Sequence, residues 1–121
     1  MSIVNIGIVG SRRRNADKDL TLVTEQLYKI MKEKDSIISG GAHIGADLWA
    51  HNLAKLNGKR MVIHYPNFGY GMPACYFIRN TEIARESETL IACVSDDRTG
   101  GTEDTIKKFK KFHPNGELII V

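Results

Sequence analysis

The stretch SIISGGAHIGADLWAHNLAKLNG, residues 36–58, decides the fold. A short apolar segment from Ser36 to Ser39 meets Gly40 and Gly41, and a helical segment then runs from Ile44 to Asn57, where Gly58 stops it. One face of that helix is small, with Ala46, Ala50 and Ala54, while Trp49, Leu53 and Leu56 supply bulk. A strand that turns through glycine into an amphipathic helix is the repeating piece of a parallel sheet, whose strands need long crossover connections.

The flanking sequence repeats the pattern. Residues 3–9, IVNIGIV, are apolar and rich in β-branched side chains and end at Gly10, which predicts a buried strand. Leu20, Val23, Leu27 and Ile30 or Met31 form a helical stripe with Asp17 as its expected cap. Arg60 to Tyr65 predicts a third strand closed by Pro66, and NFGYGMP after it predicts a loop. Residues 76–87 read as a helix and Thr89 to Val94 as a strand. Thr102 to Phe112 reads as a helix with Ile106, Phe109 and Phe112 inward and four lysines outward, and Leu118 to Val121 as a last strand. Five strands alternating with four helices predict an α/β fold. It is a single domain over residues 1–121, a Rossmann-like three-layer sandwich with a mainly parallel sheet and right-handed crossovers.

Composition agrees with one globular domain and excludes other classes. The chain of 121 residues is 42% hydrophobic and 26% charged, unlike a disordered, collagenous or coiled-coil sequence. No apolar run approaches the roughly 20 residues needed to cross a bilayer, and the first basic residues follow the apolar segment instead of preceding it. Cys75 and Cys93 have no CxxC or zinc-finger spacing, so free thiols and a cytoplasmic location are expected. The net charge of +3 is mild, but Arg12, Arg13 and Arg14 cluster, as do Lys107, Lys108, Lys110 and Lys111, the latter as a solvated helix face.

In a parallel sheet, ligands bind outside the carboxyl ends of the strands, where helix amino termini converge. Those ends deliver Gly10, Ser11 and Arg12; Ser39, Gly40, Gly41 and Ala42; Pro66 and Asn67; and Ser95 through Thr102, including Gly100 and Gly101. Small residues let the backbone approach a ligand oxygen and helix starts add positive potential, so a phosphate or carboxylate is the matched ligand, with Arg12 adding a charge-assisted bond. Gly40 and Gly45 have P-loop spacing, but Ala46 and Asp47 stand where the lysine and hydroxyl belong, which excludes Mg-ATP hydrolysis of that type. GSRRRN after the first strand lacks the dinucleotide fingerprint.

His43, Asp47 and His51 recur at helical spacing, yet an acid favoured by the helix dipole with a histidine beside it accounts for them, and no metal or cofactor is expected. Ser11, Ser39 and Ser95 lack a nucleophile elbow. Glu103 and Asp104 open the last helix, either to complement its dipole or to hold a ribose hydroxyl and assist glycosidic cleavage. Phe68, Tyr70 and Tyr76 suit a lid, a base-stacking platform or a dimer contact.

Taken together, VGSRRRN, ISGGAHIGADLWAHNLAKLNGK, FIRNTEIARESETLIA and TGGTEDT resemble the SLOG superfamily of Rossmann-like nucleotide-binding proteins. It includes DprA (Smf), the LOG or "lysine decarboxylase-like" phosphoribohydrolases, molybdenum-cofactor carrier proteins and YspA-like proteins. The DprA likeness lies in the VGSR turn, in GxDxxAH at Gly45, Asp47, Ala50 and His51, and in Arg79 and Asn80 followed by Ile83, Ala84 and Ser87. Thr81 replaces an arginine of the DprA-like segment. Gly101 and Thr102 match the GT of a LOG loop, Asp97, Arg98 and Thr99 replace its PGG, and Thr105 occupies its glutamate position.

The resemblance implies a nucleotide or nucleotide-derived ligand at the strand ends, with Arg79 and Asn80 lining the cleft and Asp47 or Glu103 holding a hydroxyl. It also implies two alternatives. One is cleavage of a nucleoside monophosphate, with Glu103 polarising the ribose and Arg79 orienting the phosphate. The other is single-stranded DNA binding through Arg12 to Arg14 and Arg79. Self-association into a homo-oligomer is a further expectation from the resemblance.

Overall fold

The computed structural model describes residues 4–121, so the expected start of the first strand at residue 3 lies outside the described residues. Five strands, β1 (Asn5–Gly10), β2 (Ser36–Ser39), β3 (Met61–Ile63), β4 (Thr89–Cys93) and β5 (Glu117–Ile120), alternate with four helices. These are α1 (Asp17–Ile30), α2 (Ala46–Leu56), α3 (Ala74–Glu86) and α4 (Gly101–Phe112). All pairings are parallel, in the order β3-β2-β1-β4-β5, as the alternating pattern predicts.

Consecutive strand side chains point to opposite faces, and both faces are apolar. Ile6 and Ile8 of β1, Ile37 of β2 and Ile91 of β4 pack with Val23 and Leu27 of α1 and Trp49, Ala50 and Leu53 of α2. Val9, Ile38, Leu90 and Ala92 face the other way, against Ile83 and Ala84 of α3 and Ile106 and Phe109 of α4. The result is three layers with a core on each side of the sheet. The chain winds outward from β1 through β2 to β3, then crosses back to build β4 and β5 on its other edge. The switch in strand order therefore falls between β1 and β4, which opens a crevice at their carboxyl ends.

Several boundaries differ from expectation for local reasons. Asp17 is the first helical residue of α1, and Ala16 occupies the cap position; Asp19 does the capping, accepting from the Ala16 amide at 3.1 Å. Ile44 lies outside α2, which Gly45 caps at φ 71° while its N–H donates to Asn15 Oδ1 at 2.8 Å. Only Met61–Ile63 of the expected 60–65 strand pairs with β2, and the following loop contains a short 3-10 turn, Phe68–Tyr70. Helix α3 begins two residues before position 76. Phe112, expected inward, is exposed on α4, with the Arg85 guanidinium 5.6 Å from its ring centre. Leu56, expected to add bulk, is also exposed. Lys108, expected outward, bonds Asp104 and the Phe77 carbonyl.

Candidate functional site

A cavity of about 280 Å³ lies at the carboxyl ends of β1, β2 and β4. Gly10, Ser11 and Arg12 line it from the turn after β1, Gly40, Ala42 and Asp47 from the turn and helix after β2, and Gly100, Gly101 and Thr102 from the start of α4. Arg79 and Asn80 of α3 close it. A second cavity, of about 400 Å³, shares Arg12, Gly40, Ala42 and Arg79 as walls and continues past Gly41 to Tyr65, Phe68 and Tyr76.

Ser39 and Asn67 lie outside both linings. The Ser39 hydroxyl is fully buried beneath the site, 2.8 Å from Asp47 Oδ1 and within hydrogen-bond distance of the Ile8 carbonyl, the two oxygens sharing its single proton. The Asn67 side chain accepts from the Gly69 amide at 3.0 Å and fixes the 3-10 turn. Glu103 also lies outside the linings, with both carboxylate oxygens held by Arg98 at 2.8 and 2.9 Å. Thr99 lines the first cavity from within the expected 95–102 segment, whereas Tyr65 and Thr105 are not among the expected lining residues. A tyrosine ending an apolar run reads as strand, and Thr105 lies one helical turn beyond that segment.

The three consecutive arginines have three fates. Arg14 turns under the sheet edge: its Nε donates to Asp19 Oδ1 at 2.7 Å and its Nη1 to the carbonyls of Val94 and Val121. The Asp19 hydrogen bond raises the Arg14 pKa. Burial pushes the Asp19 carboxyl up, but the hydrogen bonds from Arg14 and Ala16 and the Arg14 charge outweigh it and hold the group below its ordinary value. Arg13 forks onto Asp97 at 2.8 and 2.9 Å and reaches Thr99 at 3.0 Å. That fork, with hydrogen bonds from Thr99 and Ser95, holds the exposed Asp97 carboxyl well below the usual carboxylate range and ties the 95–99 loop beside the start of α4. Of the three, Arg12 has no ion-pair or hydrogen-bond partner among the described residues, and it borders both cavities.

Arg79 is held in place. Its Nη1 donates to the Gly40 carbonyl at 2.8 Å and its Nε to Asn80 Oδ1 at 3.0 Å, and its guanidinium lies 5.8 Å from the Tyr76 ring centre. Asn80, itself buried, donates to Asp104 and to the Gly101 carbonyl, which couples α3 to the start of α4. The backbone passes close beneath Arg79: a Cβ at Gly40 would lie 2.6 Å from its Nη1 and 3.0 Å from Asp47 Oδ2, so a side chain there would displace the guanidinium. Nη2 has no protein acceptor among the described residues and remains available to a ligand. Burial lowers the Arg79 pKa; the Asp47 charge opposes that and the Arg12 charge adds to it. Two guanidinium groups thus repel one another across one cavity, an arrangement that an anion relieves.

Asp47 is the one carboxylate in the lining of the first cavity. Its Oδ2 accepts from the Ala42 amide at 3.1 Å. The N–H groups of Gly101 and Thr102, in the first turn of α4, precede any residue with an intrahelical acceptor and add positive potential on the opposite wall. Thr105 also lines the cavity, its hydroxyl donating to the Gly101 carbonyl at 3.2 Å. His51 is exposed and His43 borders the second cavity, and the described residues contain no group of three His, Cys, Asp or Glu suited to a metal ion. No helix among them is long and apolar enough to cross a membrane.

The family described as DNA recombination-mediator protein A matches this chain over residues 2–111. No curated protein and no solved structure matches it.

Proposed function

Since the chain belongs to the DNA recombination-mediator protein A family, we propose that it holds the phosphate of a nucleotide unit, carried in single-stranded DNA, at the carboxyl ends of β1, β2 and β4. The observation that carries this reading is the charge balance of the first cavity. Arg12 and Arg79 face it with unused donors against the single carboxylate of Asp47, while Arg13 is matched by Asp97. One unmatched positive charge suits one phosphodiester, and the carboxylate disfavours a dense polyphosphate. Ser11, Gly40, Gly101 and Thr102 supply close backbone approach, and Asn80 fixes the guanidinium that grips the phosphate.

The geometry favours binding over N-glycosidic cleavage. Glu103 is engaged by Arg98 outside the cavity, and the cavity position that resembles the hydrolase glutamate is Thr105. A free mononucleotide offers the same phosphate and competes for the same groups. Self-association belongs to the same reading and is tested by sedimentation.

The test is fluorescence anisotropy of a labelled oligo(dT) across a salt series, with dTMP as competitor. Affinity falls linearly in log–log form with salt, and Arg12→Ala lowers the slope by about 0.7, the single-strand value for one lost phosphate contact. Absence of binding at low salt, or binding that dTMP leaves untouched, refutes the proposal.

A further inference from the structure

The second cavity is walled by aromatic rings held open to solvent. Tyr65 is 65% exposed and Phe68 64%. Gly41, at φ 77°, lies directly under Tyr65: a Cβ there would be 2.5 Å from Cε1 of the ring. Phe68 meets Tyr76 edge to face, with centroids 6.2 Å apart and planes at 85°, and Tyr76 in turn lies beside the Arg79 guanidinium. Tyr65 on one side and the contacting Phe68 and Tyr76 on the other border an apolar slot that opens onto the two cations of the phosphate cavity.

An occupant of this slot must combine a flat apolar body with an anion at one end. We infer that the second cavity is a nucleobase subsite, in which a base stacks against Tyr65 and Phe68 while its own phosphate crosses the Arg12–Arg79 pair into the first cavity. The inference rests on the phosphate reading above and extends it to the base. The slot is built from rings and from the main chain around Gly41 and Ala42, so it accepts any base by its π-face. A base seated there has left any pairing partner, so a duplex does not fill it.

Calorimetric titration of the full chain with 2-deoxyribose 5-phosphate and with dTMP separates the two cavities. The base is expected to tighten binding by about tenfold, within the range of one stacked base. Tyr65→Ala/Phe68→Ala reduces dTMP to the affinity of the sugar phosphate and leaves the sugar phosphate unchanged, and Tyr65→Phe keeps the advantage of the base. Equal affinities for the two probes in the wild type overturn the base subsite while the phosphate reading stands. Binding of neither probe overturns both. A double variant that retains the base advantage and instead alters sedimentation also overturns the subsite, in favour of a second copy of the chain covering the rings.

Discussion

Arg14→Met is expected to destabilise the fold by about 3 kcal/mol, because it strands the buried Asp19 carboxylate without its cation. Asp19 is 3% exposed, and the bond lost from it is a 2.7 Å charge-assisted one. Loss of the bonds to the Val94 and Val121 carbonyls adds to the effect. The partial exposure of Arg14 puts the value at the low end of the range for broken buried pairs. For a chain of this size, that loss lowers Tm by on the order of 10 °C.

Urea unfolding followed by the fluorescence of Trp49, the single tryptophan and one packed in the core, measures it, with the m-value expected to stay constant. Adding Asp19→Asn to Arg14→Met should recover about 1 kcal/mol, since the neutral amide still accepts from Ala16 without the cost of a buried charge. Stability of Arg14→Met within about 0.5 kcal/mol of wild type refutes the reasoning. So does a double variant less stable than Arg14→Met alone.

The neighbouring Arg12→Ala should leave the urea midpoint unchanged while weakening oligonucleotide binding, the opposite pattern to Arg14→Met. Because the folded Asp19 carboxyl lies below its ordinary value, its contribution is complete above the unfolded carboxylate pKa of about 3.9 and is lost as pH falls through the folded value. Asp19→Asn should flatten the acid limb of a Tm-against-pH curve, and an unaltered limb would contradict this. Gly41→Ala should cost about 1–2 kcal/mol from its positive φ and displace Tyr65, which calorimetry would register as weaker dTMP binding. Glu103→Gln should leave dTMP affinity unchanged, and a large loss in the same titration would bring that carboxylate back into the site.

The sequence is most informative where a structural rule is local. Apolar runs locate β1, β2 and β4, the first two ending in glycine, and the rule that ligands bind past strand ends brings Ser11, Gly40 and Thr102 to one cavity from distant parts of the chain. What it could not disclose are partners fixed only by tertiary contact. Arg13 and Arg14 look identical to Arg12, but besides Asp19, five residues on from Arg14, their acceptors include Asp97, Val94 and Val121, which lie 84, 80 and 107 residues away. Arg98 claims Glu103 through a backbone at φ 54° that no propensity announces. The role of Tyr65 depends on a glycine in another loop.

Since the turns that wall the first cavity come from both sides of the topological switch, no fragment of the sheet carries the complete site. Occupancy is therefore linked to global unfolding, and a ligand in excess should slow amide hydrogen exchange throughout β1, β2 and β4, including amides far from any contact, to the extent RT ln(1 + L/Kd) set by its free concentration L relative to Kd.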